Sequence, residues 1–250
     1  MRVLIVVLSL DRAPWRDLEE AQRATWASCP HPGVDVIYVR GVTRGLPRAL
    51  FLAGRKLAER MGARKRYDLI AGRISVRKPV RIRNEVVHTR TPEYWIGTSA
   101  KMHAGLKSIV DAYQFDYLVR TNSSTYLDVP RLIDHLRHSP KEKFYSGADQ
   151  GVAHAQGTCI ILSRDAARSV AEDRSWDYDK VDDVAIGLAA CRAGIRYVPV
   201  EQVTVGKDQV VPEPSKSGSL SPFVYRSKTR SDRTQDIEAM RRLHQMLRAC

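Results

Sequence analysis

The chain has 250 residues, 43% hydrophobic and 28% charged, which is enough apolar content for one packed globular domain and too much for a disordered one. Lys and Arg outnumber Asp and Glu by 41 to 28, and the net charge of +13 points to an acidic partner: a phosphate-bearing substrate, nucleic acid or an anionic membrane surface. Four scattered cysteines, Cys29, Cys159, Cys191 and Cys250, show neither C-x-x-C pairs nor zinc-type spacing, which argues against a disulfide framework or structural metal; no apolar run reaches the roughly 20 residues of a membrane span.

Val3 to Leu8 is a continuous apolar run of strand length, as expected for a strand covered on both faces. Asp11 and Pro14 follow with no small-residue cleavage site, so the opening reads as a first strand and not as a secretory signal. A helix is predicted over "WRDLEEAQRATWAS", ended by Pro30, then a strand over Val34 to Gly41 and a helix over "LPRALFLAGRKLAERMG" closed by Gly62. The segment "ARKRYDLIAGRISVRKPVRIR" carries eight Lys or Arg against one acid, Asp68, and its mixed alternation fits a hairpin or a lengthy loop. "NEVVHTRTPEYW" offers a short strand, and "GTSAKMHAGLKSIVDAY" a helix with Met102, Leu106, Ile109, Val110 and Tyr113 on a core face.

The strand from Phe115 to Val119 runs into small polar residues, "RTNSS". A short helix at "PRLIDHLRH", strands near "KFYSG" and "TCIILS", and a helix at "RDAARSVAED" come next. "DDVAIGLAACRAG" opens on two acids and closes at Gly194, leading to a strand at "IRYVPV", a loop at "VVPEPSKSGSLSP" and a last helix from about Asp236 to Arg248. Such alternation predicts one α/β domain over 1–250 with a mixed, mainly parallel sheet flanked by helices. Ligands of such sheets bind beyond the carboxyl ends of the strands, which brings forward "SLDR" (Ser9, Leu10 and Arg12), "RTNSS", "DDV" and the late "FVYRSKTR".

The order of short motifs resembles the beta-1,3-galactosyltransferase and Fringe group of GT-A glycosyltransferases. "QRATW" is similar to that group's Arg-x-Thr-Trp signature, with Arg23 in it. "NEVVHTRTPEYWIGTSAKMHAGL" is similar to its strand, Pro-Glu-x-Tyr turn and helix with an internal Lys, here Lys101. "GTCIILSRDAA" resembles its Gly-containing strand ending in Ser-Arg-Asp, and "DDVAIG" its Glu-Asp-Val-x-x-Gly. The resemblance implies a GT-A-like, Rossmann-like fold and inverting transfer of a sugar from a nucleotide diphosphate sugar, most often a UDP-sugar. It makes 1–130 the nucleotide-sugar half and 131–250 the acceptor half with a basic C-terminal segment.

That reaction needs a base for the acceptor hydroxyl and positive charge at the departing diphosphate. Asp183, with Asp182 beside it, is the candidate base at a helix start. The resembled group places three aspartates and a divalent cation where this chain has Asn122, Ser123 and Ser124, so no cofactor is expected and Mn²⁺ or Mg²⁺ is disfavoured. Asp128 or Asp149 restoring a displaced ion is a weaker alternative. Ser9, Leu10, Arg12, Arg23, Lys101, Arg120, Thr121, Asn122, Ser123 and Ser124 are expected on the nucleotide sugar, Lys101 and Arg120 as fixed cations, with Arg226, Lys228, Arg230 and Arg233 of the late basic segment on the diphosphate. Trp176, Gly157 and His154 are candidates for the acceptor, taken to be a glycan, lipid-linked or polymer hydroxyl. A DNA-modifying transferase and a non-catalytic binding relative remain rivals. The expected location is cytoplasmic, with peripheral attachment to the inner membrane face as a variant.

Overall fold

The computed structural model describes residues 1–29, 31–43, 45–94, 97–149, 151–205, 222–227, 229 and 233–248. Among these residues the main sheet has eight strands in the order β3 (Arg81–Arg83), β4 (Val86–Pro92), β2 (Val34–Val42), β1 (Val3–Leu8), β5 (Tyr117–Asn122), β8 (Cys159–Ser163), β7 (Tyr145–Ala148) and β9 (Tyr197–Val200). Strand β1 pairs parallel with both β2 and β5, β2 parallel with β4, and β7 parallel with β9; β3 and β8 run against their neighbours. This is the mixed, mainly parallel α/β sheet that the alternation of segments predicts.

The apolar run of β1 is buried on both faces, and its alternation assigns each residue to a layer. Leu4, Val6 and Leu8 join a core with α4 (Thr98–Ala112), α6 (Arg164–Ala171) and α7 (Asp182–Arg192). Val3, Ile5 and Val7 face the opposite core, built with α1 (Trp15–Arg23), α5 (Val129–Arg137) and α8 (Thr234–Arg248). A second sheet of three strands, β10 (Gln202–Val205), β11 (Val224–Ser227) and β6 (Thr125–Leu127), lies in that second layer and was not foreseen from sequence.

The basic segment is neither loop nor simple hairpin. It forms α3 (Arg64–Val76), packed on α2 (Leu46–Arg60), and only its end becomes the edge strand β3. The single acid lies on the inner face of this helix: Asp68 is buried and paired with Arg55 of α2 at 2.8 Å, while the basic residues stay outside. The loop expected over 210–222 lies outside the described residues except for Pro222.

Candidate functional site

The chain leaves β1 toward β2 on one side and returns to β5 on the other, so the sheet changes direction between β1 and β5. A crevice opens at their carboxyl ends, as this topology dictates. A cavity of about 430 Å³ occupies it. Leu8 and Leu10 line it after β1, Asn122, Ser123 and Ser124 after β5, Gly157 ahead of β8, and Asp182 and Asp183 from the first turn of α7.

At its floor Arg120 of β5 is buried. Its Nη2 pairs with Asp182 Oδ2 at 2.5 Å, and its Nη1 donates to the Gly157 carbonyl. The Gly157 amide in turn donates to Asp183 Oδ2 at 3.0 Å, so one residue, through the peptide units on either side of its Cα, links Arg120 to Asp183. A side chain at 157 would displace this arrangement, because an added Cβ would lie 2.6 Å from Arg120 Nη1 and 3.1 Å from Asp183 Oδ2. Burial raises the Asp182 carboxyl above its usual range, with the Arg120 guanidinium opposing the shift. Asp183 is partly exposed and faces the cavity. The two acids therefore differ in access: Asp182 is committed to Arg120, and Asp183 remains open to a ligand.

The turn after β5 is held from below. Gln22 Nε2 donates to the carbonyls of Asn122 and Thr125 at 3.0 and 3.1 Å, and Trp26 Nε1 donates to the Thr125 carbonyl at 3.1 Å. Within "QRATW" it is Gln22 and Trp26, not Arg23, that serve the site, and they act by fixing backbone. Arg23 pairs with Glu19 and Glu85 and lies over the Tyr38 ring at 4.1 Å. It lines a separate open cavity of about 720 Å³ beside Val34, Asp35 and Val36, at the amino end of β2 and remote from the strand carboxyl ends.

Other candidates also divide by geometry. Lys101 borders the cavity, but its Nζ donates to both Glu93 oxygens at 2.8 and 3.0 Å and to the Ser9 carbonyl at 3.0 Å, with 1% of the residue exposed. All three of its N–H donors are used, so Lys101 braces the loop after β1 and has none left for a phosphate. The Ser9 hydroxyl turns away to donate to Glu19 at 2.6 Å, and the Thr121 hydroxyl donates to the Thr158 carbonyl at 2.6 Å. Arg12 lines the cavity and lies over Trp15 at 5.1 Å.

The acceptor candidates fare differently. Trp176 is only 2% exposed, stacked on His103 at 4.2 Å with its indole N–H donating to Ser99 Oγ, so it is core and presents no face to a sugar. His154 packs over Gly187 of α7 and does not line the cavity. Residues that sequence reasoning left out complete the walls: Tyr94, Thr98 and Gln156, and Glu93 as the counter-charge of Lys101. The quoted "PEYW" contained two of them, but nothing in the spacing distinguished a wall residue from a turn residue.

From the C-terminal part, Arg226 of β11 and Arg233 line the same cavity. Lys228 and Arg230 lie outside the described residues. Burial lowers the pKa of half-buried Arg226, the Arg233 guanidinium lowers it further, and Asp183 opposes both. Arg233 has its own partner, Asp236, at 2.9 Å, whereas Arg226 makes no ion pair among the described residues. A guanidinium so placed can bind an anion.

The donors present do not suit a hard divalent cation. Of the three carboxylates on the cavity, Glu93 is bound by Lys101 and Asp182 by Arg120, which leaves Asp183 alone open beside the neutral oxygens of 122–124, one carboxylate where a hard cation favours several. Asp128 caps α5 through the Arg131 amide, and Asp149 accepts from the Gly151 amide on an exposed turn, so neither turns toward the cavity. Among the described residues no cluster of three His, Cys, Asp or Glu could hold a metal ion.

No protein-family model matches the chain, and no curated protein does. Among solved structures, the crystal structure of the apo-form glycosyltransferase GlyE of Streptococcus pneumoniae TIGR4 is similar at 10% identity and a TM-score of 0.39, over 79% of this chain and 45% of that one. The present chain thus spans less than half the length of that protein.

Proposed function

We propose that the chain is an inverting glycosyltransferase that moves a sugar from a nucleoside diphosphate sugar, UDP-linked in the first instance, to an acceptor hydroxyl without a resident metal ion. The observation that carries this reading is a single cavity with an open carboxylate, Asp183, on one wall and an arginine free of ion pairs among the described residues, Arg226, on another. Inverting transfer needs these two groups: one removes the acceptor proton and the other meets the charge released on the diphosphate. The order of motifs resembling the beta-1,3-galactosyltransferase group agrees with it.

In this reading residues 1–130 supply the nucleotide side and 131–250 the acceptor side, and Asn122, Ser123 and Ser124 hydrogen-bond ribose or phosphate oxygens. The acceptor oxygen attacks the anomeric carbon as its proton passes to Asp183, and the bond from that carbon to the diphosphate oxygen breaks. Arg226 and Arg233 hold the departing diphosphate. Arg120, held by Asp182, fixes the Gly157 carbonyl, and the amide of the same residue sets Asp183. The acceptor is a glycan, lipid-linked or polymer hydroxyl.

Calorimetric titration of UDP, run with Mn²⁺ and again with EDTA, tests the donor half of the proposal. Equal affinity in both is expected; binding that requires Mn²⁺ overturns the metal-free site, and no binding in either removes UDP-sugars as donors.

A further inference from the structure

The outer face of α2 and α3 joins two features that rarely coincide on a water-facing surface. Leu50, Leu57 and Met61 are 62%, 58% and 72% exposed, and their spacing of i, i+7 and i+11 makes one stripe along α2. Ile70 and Ile74, 48% and 55% exposed, make a shorter stripe on α3. Both stripes border the same seam. Gly54, on the Leu50 and Leu57 side of α2, meets Tyr67, and Tyr67 lies three and seven residues before Ile70 and Ile74. Ile82, 40% exposed, follows on β3.

Basic residues surround these side chains. Residues 46–83 hold twelve Lys or Arg and two acids, and both acids are spent: Asp68 on Arg55, and Glu59 on Arg64 at 2.8 Å. Lys56, Arg60, Lys65, Arg66, Arg73, Arg77 and Lys78 are exposed and make no ion pair among the described residues. A solubilising face would not need the leucines and isoleucines, and a nucleic-acid face gains nothing from exposing them.

We propose that the α2–α3 hairpin is a docking surface for an anionic lipid leaflet, with Leu50, Leu57, Met61, Ile70 and Ile74 inserted at the level of the headgroups and the surrounding Lys and Arg bound to lipid phosphates. Apolar side chains in a basic rim are what an interfacial helix requires, and among the described residues no helix is long and apolar enough to cross a membrane instead. The surface is continuous with the candidate site. Phe51 and Arg55 of α2 pack on Tyr94 at 4.8 and 5.1 Å, and Tyr94 lines the cavity. The proposal does not rest on the transfer reading, because lipid binding is measured without nucleotide.

The test is co-sedimentation of the full chain with vesicles of phosphatidylcholine alone and of phosphatidylcholine mixed with phosphatidylglycerol. Each basic residue at the leaflet strengthens partitioning about fivefold, so the mixed vesicles should bind at least tenfold more tightly than the neutral ones. Raising the salt from about 0.1 M to about 1 M shortens the screening length from about 10 Å to about 3 Å and should weaken binding steeply. The variant Leu57→Glu/Ile74→Glu, changed only at exposed positions and checked for an unaltered urea midpoint, should lose on the order of tenfold per substitution. A Leu57→Trp variant should show blue-shifted emission on the mixed vesicles. Equal binding to both vesicle types, unchanged binding by the double-Glu variant, displacement from vesicles by duplex DNA, or a dimer in solution that the double-Glu variant abolishes would each overturn the proposal.

Discussion

Arg120 Nη2 and Asp182 Oδ2 lie 2.5 Å apart with their side chains 3% and 6% exposed, so neither charge has water to turn to if the other is removed. Removing one partner of such a pair costs about 3–5 kcal/mol, mostly as the penalty of the charge left behind. Arg120→Met and Asp182→Leu should each lower stability by that order in urea unfolding. The double variant should lose less than the two singles combined, and a strictly additive double would show that the two side chains do not act as a pair.

His103 predicts how stability varies with pH. Its Nε2–H donates to the Ala171 carbonyl at 2.9 Å, its Nδ1 accepts from the Tyr178 hydroxyl at 2.8 Å, and burial lowers its pKa to about 4. An unfolded histidine takes up its proton near 6.5, so between about 6.5 and 4 the unfolded chain binds the extra proton. Stability from this group is therefore complete above about 6.5 and falls as the pH drops through that window, by about 3 kcal/mol in all. A His103→Gln variant should flatten the profile of urea midpoint against pH; the same slope in both proteins would remove His103 as its source.

The strands around the site were legible because β1 is an unbroken apolar run buried on both faces and β5 opens with Tyr117, Leu118 and Val119, and α7 because two acids open it and Gly194, at φ 71°, ends it. Helix α3 was not. Its outward face carries Ile70 and Ile74 among arginines, and apolar residues on both sides of a helix erase the one-sided period that a sequence reading relies on. Strands β6, β10 and β11 are three or four residues long, and no period can be read from so few. Within the site, Asp183 and Arg226 could be named from motif and charge. The burial of Trp176 and the commitment of Lys101 to Glu93 depend on partners distant in sequence or in type, which spacing alone does not reveal.

Asp128 illustrates the same limit. It stands at the end of a strand as a metal ligand would, yet its carboxylate accepts from the Arg131 amide at 3.3 Å and pairs with the Arg131 side chain. Asp128→Ala should cost about 1 kcal/mol of stability, the ordinary loss of an N-cap. It should leave UDP affinity the same with Mn²⁺ as with EDTA; a metal response that disappears in this variant would restore Asp128 as a ligand.

Arg226 gives the donor site its sharpest test. Its pKa is lowered by burial and by Arg233, so an arriving diphosphate relieves an existing repulsion as well as gaining charge-assisted hydrogen bonds. Arg226→Ala should weaken UDP binding by about 1.5–3 kcal/mol, while uridine without phosphates should bind wild type and variant alike. An equal loss for uridine would place Arg226 on the nucleoside or show that the cavity has changed shape.

Gly157 separates positioning from chemistry. Its amide holds Asp183 Oδ2 at 3.0 Å while its carbonyl accepts from Arg120, and an added Cβ would press on both side chains, at 3.1 and 2.6 Å. Asp183→Asn keeps the shape and removes the proton acceptor. It should lower the turnover of a sugar-transfer assay by about 100-fold or more with little change in donor KM. Gly157→Ala should lower turnover too, but by displacing Asp183, and it should also shift the Arg120–Asp182 pair and therefore reduce the urea midpoint by more than Asp183→Asn, which gives up only one of the two backbone amides that the carboxylate accepts. Should Gly157→Ala lose stability and keep full turnover, the peptide would be structural alone; should Asp183→Asn remain active, the base must be sought elsewhere on the cavity wall.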